Sequence, residues 1–318
     1  MVTKIPSGEC MDATLRTRFL ELDLATPLVL PAGVLGTSFS SLLACARCGA
    51  GLVTTKSATL TERTGHPGPV VVETPAGLLN AVGISNPGIA EVLREVAVYR
   101  RHTAVPVAVS VFADSPADFA ELARRVSDSP ADLLELNLSC PNVSGEFGAP
   151  LAGSPDTVAA IVAAVKHAAR LPLIAKLSPN VTDIAAVGRA AEQAGADALC
   201  AINTLGPGMV IDTELGLPVL SNGSGGLSGA AIRPVAVRAV HQLAQSVGIP
   251  IIGVGGVCNA VDAAEMLIAG ARLVGVGTAL WSGGIELFGD IGRNLLAYLN
   301  RRCYPDPAAV PRLEPSHA

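Results

Sequence analysis

The stretch SPDTVAAIVAAVKHAARLPLIAKLSPNVTDIAAVGRAAEQAGADALCAIN, residues 154–203, decides the fold class because it holds two helix–strand units in succession. Ser154 and Pro155 are typical of a helix start, where serine caps free N–H groups and proline fits the first turn. The apolar spacing then predicts a helix, a buried strand, a second helix that Gly195 ends, and a second buried strand. Helices that alternate with apolar strands indicate a parallel sheet covered by helices.

The same alternation extends along the chain. Eight strands are predicted, at residues 27–31, 51–55, 105–109, 132–137, 171–177, 196–203, 249–254 and 272–276. Helices are predicted to follow them at 40–48, 89–102, 116–127, 155–170, 183–195, 230–247, 261–270 and 285–299. Eight such units favour an α/β fold of the closed (β/α)8 TIM barrel type over an open doubly wound sheet. We expect one domain over residues 1–318, with a core of about 20–300 and a loose, proline-rich tail over 303–318.

Composition and charge exclude several classes of protein. Half of the 318 residues are hydrophobic, whereas only 3% are aromatic, which is typical of tightly packed β/α layers. The formal net charge of −5, without a basic stripe, gives no support for nucleic-acid binding. The N-terminus lacks the apolar core of a signal peptide, and no run of about 18 apolar residues follows it. We therefore expect a cytoplasmic protein that acts on metabolites and has no membrane span.

The cysteines do not suggest a disulfide framework, because there are seven of them, an odd number, and they are scattered along the chain. Cys45 and Cys48 form a CxxC pair, which is one way to begin a metal site. No second pair stands at metal-ligand spacing, so we expect buried or half-buried thiols here and no bound metal.

The octapeptide ELNLSCPN, residues 135–142, is a strand that runs into a loop with amides and one thiol. The amides of Asn137 and Asn142 could fix a planar, polar ring by its N–H and C=O groups, and the Cys140 thiolate could act as a base. A simple turn would use the same residue types, with cysteine as a small apolar residue. The octapeptide alone leaves both readings open.

Several further polar residues stand at predicted strand ends: Lys56, Lys176, Asn203 and Thr204. A lone lysine near a strand end is usually a surface residue. The carboxyl ends of barrel strands meet at one rim, however, so these side chains and Asn137 converge there. Two long connections, 57–88 and 204–229, lie at the same rim and are expected to form walls of a site. Residues 209–222 are expected to form a small hairpin over the barrel mouth.

The last two units contain glycine-rich loops, GVGG at 253–256 and GVGT at 275–278. Barrels commonly bind a phosphate with backbone N–H groups of these two loops, because glycine allows close approach of the main chain. Tight turns alone would also use glycine. Two such loops at one rim, with the Thr278 hydroxyl, favour a phosphate site, whereas neither has the Rossmann fingerprint.

Taken together, the motifs are similar to those of the flavin barrel of class 1 dihydroorotate dehydrogenases. They are TTKSATL (54–60), LLNAVGISNPG (78–88), ELNLSCPN (135–142), AKLSPNVTDI (175–184), INT (202–204), GGLSGAAIRP (225–234), PIIGVGGV (250–257) and VGTAL (276–280). The resemblance covers roughly residues 20–300. KLSPNVTDI and GGLSG most resemble the class 1B enzymes, which have an iron–sulfur flavoprotein partner. An asparagine often found on the third strand of the family is Ser110 here.

The resemblance implies a flavin enzyme that oxidises dihydroorotate to orotate in pyrimidine biosynthesis, with FMN as cofactor. Cys140 would take the C5 proton while the C6 hydride passes to N5 of FMN, and Lys176 would stabilise negative charge on the reduced ring. Substrate would be bound by Lys56, Asn80, Gly83, Ile84, Asn137, Asn142, Asn203 and Thr204. FMN would be bound by Ala32, Gly33, Lys56, Ser57, Asn137, Lys176, Ile202, Ser228, Gly229, Gly255, Gly256, Gly277 and Thr278.

Two other functions compete with this one. The flavin barrels of dihydropyrimidine dehydrogenases share ELNLSCP but typically continue with CPH and place their proton-transferring cysteine further along, where this chain has Ala152 and Gly153. A barrel that binds FMN without turnover is the second; Cys140, Lys56 and Lys176 count against it. For partners we expect a homodimer, with an FAD and iron–sulfur electron-transfer subunit as the further partner.

Overall fold

The computed structural model describes residues 12–138 and 153–314. Within them, eight parallel strands form a closed barrel: Leu28–Leu30, Leu52–Thr54, Val107–Val111, Leu133–Asn137, Leu173–Leu177, Ala198–Ala201, Ile251–Val254 and Leu273–Gly275. Each strand pairs with the next along the chain, and the eighth pairs with the first. The predicted (β/α)8 barrel is confirmed.

The helices that alternate with these strands are Phe39–Arg47, Ile89–His102, Pro116–Ser127, Pro155–Ala168, Ile184–Gln193, Arg233–Ala244, Ala260–Ala269 and Leu287–Arg302. Ser154 caps its helix by accepting a hydrogen bond from the Thr157 N–H at 3.2 Å, as its sequence context predicts. The helix expected over 230–247 instead begins at Arg233, after a short 3₁₀ turn. Pro234 explains this start, because proline is tolerated only in the first turn.

An N-terminal hairpin closes one end of the barrel. Its strands, Thr17–Phe19 and Leu22–Leu24, are antiparallel. Phe19 is fully buried and packs with inward-facing strand residues such as Leu133 and Ile174. Because apolar side chains fill this end, a ligand site between the strands can open only at the carboxyl end.

A second sheet, of four antiparallel strands, lies at the carboxyl end. Its order is Leu205–Gly208, Gly225–Ser228, Gly77–Asn80 and Val71–Thr74. Both long connections that the sequence predicted as site walls contribute to it. The small hairpin expected within 209–222 is confirmed as the pair Ile211–Asp212 and Leu217–Pro218. The sheet joins two loops that are far apart in the chain.

Residues 303–314 lie in the tail that composition predicts to be loose, and they make several contacts with the rest of the chain. They include a 3₁₀ turn at Pro307–Ala309, the buried side chain of Val310, and a hydrogen bond from the Leu313 N–H to the Ile268 carbonyl at 2.8 Å. A further hydrogen bond, from the Thr14 N–H to the Pro305 carbonyl at 2.9 Å, also holds this segment.

Four described cysteines are free thiols: Cys45, Cys48, Cys200 and Cys258. Burial, with a smaller contribution from Cys48, raises the pKa of the Cys45 thiol to about 11. Cys45 is buried and Cys48 is half-buried, as the thiol interpretation of the CxxC pair predicts. Cys303 is disulfide-bonded, which the scattered cysteine pattern did not predict. In the described ranges we find no helix of the length and apolarity that crossing a membrane requires.

Candidate active site

A cavity of about 290 Å³ opens at the carboxyl end of the barrel, between the strand ends and the four-stranded sheet. Every described residue that the sequence predicted for substrate or cofactor binding lines it: Ala32, Gly33, Lys56, Ser57, Asn80, Gly83, Ile84, Asn137, Lys176, Ile202, Asn203, Thr204, Ser228, Gly229, Gly255, Gly256, Gly277 and Thr278. The fold thus brings them together, while their binding roles stay predictions. Cys140 and Asn142 lie outside the described residues.

The charged residues that line the cavity are both lysines, and no described aspartate or glutamate lines it. Lys176 is 4% exposed, and its Nζ donates a hydrogen bond to the Ala32 carbonyl at 3.3 Å. Burial strengthens the field of a charge because less water screens it. The cavity therefore favours an anionic ligand, or one that gains negative charge during a reaction.

A chain of hydroxyl groups positions the Asn137 amide. Its Nδ2 donates to the Ser57 Oγ at 3.0 Å, and the Ser57 and Ser110 hydroxyls are 2.9 Å apart. Ser110 is fully buried, and its backbone N–H donates to the Thr55 Oγ1 at 3.1 Å. Ser110 thus acts on the site through Ser57.

Asn180 supports the loop after the sixth strand, a role that the sequence did not reveal. Its Oδ1 accepts from the Gly206 N–H at 3.0 Å, and its Nδ2 donates to the Thr204 carbonyl at 3.4 Å. The Thr204 N–H donates to the Asn203 Oδ1 at 2.9 Å. Asn180 stands directly after Pro179 at the end of a strand, which is the one signal that could have indicated it.

The two glycine-rich loops meet at one side of the cavity. There the Thr278 hydroxyl donates to the Ser228 Oγ at 2.8 Å. The N–H groups of Gly255, Gly256, Gly277 and Thr278 donate no hydrogen bond to any other described residue. Backbone N–H groups that line a cavity can donate to a bound ligand, and a phosphate supplies several acceptor oxygens.

The loop after the seventh strand is held by a buried ion pair that the sequence reading missed. Asp262, 3% exposed, pairs with Arg233 and also accepts from the Cys258 N–H at 2.9 Å. Arg233 lies at the start of its helix and packs against Gly256. The pair therefore links the glycine loop to two helices, and no local pattern signals it because its members are 29 positions apart.

Comparison with known proteins identifies the family. The family model of dihydroorotate dehydrogenase matches residues 14–299. The chain belongs to the dihydroorotate dehydrogenase family. A relative from Methanosarcina mazei is 45% identical over 304 residues, which cover 95% of this chain and 96% of that protein. Relatives from Methanosarcina acetivorans, 46% identical over 90% of this chain and 91% of theirs, and Pyrococcus abyssi, 42% identical over 91% and 95%, are also similar. All three carry the name dihydroorotate dehydrogenase B (NAD(+)), catalytic subunit, so the resemblance to the class 1B type is confirmed.

Dihydroorotate dehydrogenases depend on a flavin, and the cavity residues fit one. The N–H groups of the glycine loops, which line the cavity, suit an anionic end. Lys176 suits the polar edge of a ring that becomes anionic on reduction. The remaining wall is mostly apolar, as a flat ring requires: Pro31, Val34, Val71, Leu78, Val82, Gly226, Ile232, Val254, Val257, Ala279 and Trp281. The sequence reading missed these residues because apolar residues at strand ends look like any other core residues.

Proposed function

We propose that this chain oxidises dihydroorotate to orotate, in de novo pyrimidine biosynthesis, and that FMN is its flavin. The observation that carries the proposal is one cavity in which a buried lysine, several amides and four backbone N–H groups meet, and these N–H groups have no hydrogen-bond partner within 12–138 and 153–314. That set of groups matches a substrate ring with a carboxylate and a flavin with a phosphate. The membership of the dihydroorotate dehydrogenase family supports the same substrate class.

In this proposal the amides and Lys56 bind the substrate. The Asn80 Nδ2 donates to the Gly226 carbonyl at 3.2 Å, which leaves its Oδ1 to accept a ring N–H. Lys56 pairs with the substrate carboxylate, and the Asn137 amide is already oriented by Ser57. The other proposed substrate contacts are Gly83, Ile84, Asn142, Asn203 and Thr204. Preformed contacts of this kind reduce the entropy that is lost when the ring is fixed.

The glycine loops and Lys176 bind the cofactor in this proposal. Ser228, Gly229, Gly255, Gly256, Gly277 and Thr278 hold the phosphate, while Ala32, Gly33, Ser57 and Ile202 contact the rest of the molecule. FMN, when bound, supplies the acceptor for the hydride that leaves C6 of the substrate. Cys140 removes the proton from C5, and Lys176 offsets the negative charge that develops at the flavin.

An anaerobic spectrum of the purified chain tests this function. We expect a yellow protein whose flavin absorbance is bleached by dihydroorotate and left unchanged by dihydrouracil, which lacks the carboxylate. Heat release of the flavin, followed by chromatography, identifies it as FMN. Bleaching by dihydrouracil alone would move the chain to dihydropyrimidine chemistry, and a colourless protein that gains no flavin on incubation with FMN would refute the proposal.

We further propose a homodimer that passes its electrons to a separate FAD and iron–sulfur subunit. The names of the relatives, which describe a catalytic subunit and NAD(+), support such a partner. The sequence has neither a Rossmann fingerprint for a nicotinamide nor a four-cysteine cluster pattern. The pure chain should therefore reduce artificial dyes with dihydroorotate but not NAD⁺. Rapid NAD⁺ reduction by the chain alone would contradict this, and comparable fumarate turnover would indicate a partner-free enzyme.

We expect Gly256→Ala, in the proposed phosphate site, to weaken the binding of FMN. Gly256 has a φ of +75°, and an added Cβ would lie 2.6 Å from the Arg233 Cβ and 2.9 Å from the Gly229 carbonyl oxygen. The loop must shift, so we expect FMN affinity to fall by about tenfold or more, since strain at such a position costs roughly 1–3 kcal/mol. Flavin content per chain after gel filtration measures the effect.

Gly216→Ala is the matched control. Gly216 also has a positive φ, +67°, but nothing lies within 4 Å of an added Cβ, and the residue belongs to the exposed hairpin loop. This variant carries a similar backbone strain with no clash at the glycine loops. Equal flavin loss in both variants would show that strain in general, and not the phosphate site, is responsible.

A further inference from the structure

Directly beneath the cavity, the barrel interior holds a glutamate that the proposed chemistry does not use. Glu135 belongs to the fourth strand, is 2% exposed, and does not line the cavity. Glu135 stands two positions before Asn137 on this strand, and side chains two positions apart point to the same face. Asn137 lines the cavity and pairs in register with Lys176, so Glu135 also points into the barrel. Its Oε1 is buried without a hydrogen-bond partner. An ionised carboxylate in such a place is costly unless a cation compensates for it.

Lys176 is the cation that the barrel interior offers. The buried charged residues of the described ranges are Glu135, Lys176 and Asp262, and Asp262 already pairs with Arg233. Cys200 lies opposite Lys176 on the sixth strand and is 1% exposed. The charges of both side chains reach its thiol: burial raises its pKa most, Glu135 raises it further, and Lys176 lowers it. The three side chains therefore form one buried cluster.

We propose that Glu135 is a positioning residue that sets the strength of the positive charge that Lys176 presents to the flavin. The inference rests on the proposed flavin site. Glu135 pairs in register with Ile174, two positions nearer the closed end than Lys176. Its carboxylate therefore cancels part of the field of Lys176 from the side away from the cavity. Without this counter-charge, the full field of Lys176 would act on the flavin and stabilise its reduced, anionic form.

The test is the midpoint potential of bound flavin in Glu135→Gln, which keeps the shape of the side chain and removes the charge. We expect the equilibrium constant for two-electron reduction to rise by about tenfold or more, which corresponds to about 30 mV. Glu135→Asp keeps the charge and should return the potential close to that of the wild type. Glu121→Gln makes the same chemical change on a surface helix and should leave the potential unchanged.

Glu135→Met is the second variant, because it removes the charge with an unbranched, apolar side chain of similar size. It should raise the potential as Glu135→Gln does. A wild-type protein that binds flavin, with unchanged potentials in both charge-removing variants, would overturn this inference alone. So would an equal shift in Glu135→Asp, since packing would then be the cause. A wild-type protein that binds no flavin would overturn the proposed function and this inference with it.

Discussion

Cys140→Ser is expected to slow the reduction of bound FMN by dihydroorotate by about 10²- to 10⁴-fold at neutral pH, the usual range for a general base. A serine hydroxyl is a far weaker base than a thiolate, while its similar size should leave FMN binding intact. The expectation rests on the sequence, because Cys140 lies outside the described residues. The fourth strand ends at Asn137 on the cavity wall, three positions before Cys140 in the sequence. Anaerobic stopped-flow measurement of flavin bleaching gives the rate.

Cys48→Ser is the matched control for this variant. Cys48 is a half-buried free thiol directly after the helix Phe39–Arg47 and does not line the cavity. Its replacement should leave the rate of flavin reduction unchanged. Equal rates of flavin reduction in Cys140→Ser and the wild type would show that Cys140 is not the general base. Loss of FMN from Cys140→Ser would instead show that the thiol has a structural role in the cofactor site.

Lys176→Ala is expected either to lower the midpoint potential of the bound flavin or to empty the site. The variant removes a 4% exposed ammonium group from the cavity wall, and with it the charge that offsets the reduced ring. A tenfold change in the equilibrium constant of two-electron reduction corresponds to about 30 mV, and we expect at least that shift because little water screens this charge. Flavin content and a spectroscopic redox titration measure the two outcomes.

Lys166→Ala removes the same charge at a distance from the site. Lys166 is 43% exposed and pairs with Asp197, which precedes the sixth strand and so lies towards the closed end of the barrel. Its loss should change neither flavin content nor potential. An unchanged potential with full flavin occupancy in Lys176→Ala would return Lys176 to a structural role in the barrel interior.

The barrel could be predicted from the sequence because its elements are local. Apolar strands and capped helices alternate along the chain, and residues such as Gly195 mark where a helix ends. Parallel β/α packing explains this order. The position of the site at one rim of the barrel could be predicted for the same reason, because the carboxyl ends of parallel strands lie together. For this reason Lys56, Asn137 and Lys176, which lie far apart in the chain, could be assigned to one site.

The antiparallel sheet above the cavity could not be predicted in this way. Asn80 and Gly226 pair across it although they are 146 positions apart, and short strands such as Gly225–Ser228 carry almost no pattern of their own. The ion pair between Arg233 and Asp262 and the burial of Val310 also depend on the packing of distant segments. In each case the stabilising contact is not local, so no spacing in the sequence reports it.

The sequence by itself determined the barrel, the rim and the kinds of groups at it, because side-chain period, capping and turn chemistry act within a few residues of one another. Only the tertiary structure decided how deeply those groups are buried and which neighbouring groups compensate their charges. Lys176 and Glu135 look like two ordinary charged residues in the sequence, yet both are buried in the barrel interior, 4% and 2% exposed. Burial is a property of the whole fold, and burial sets the strength of every charge in this site.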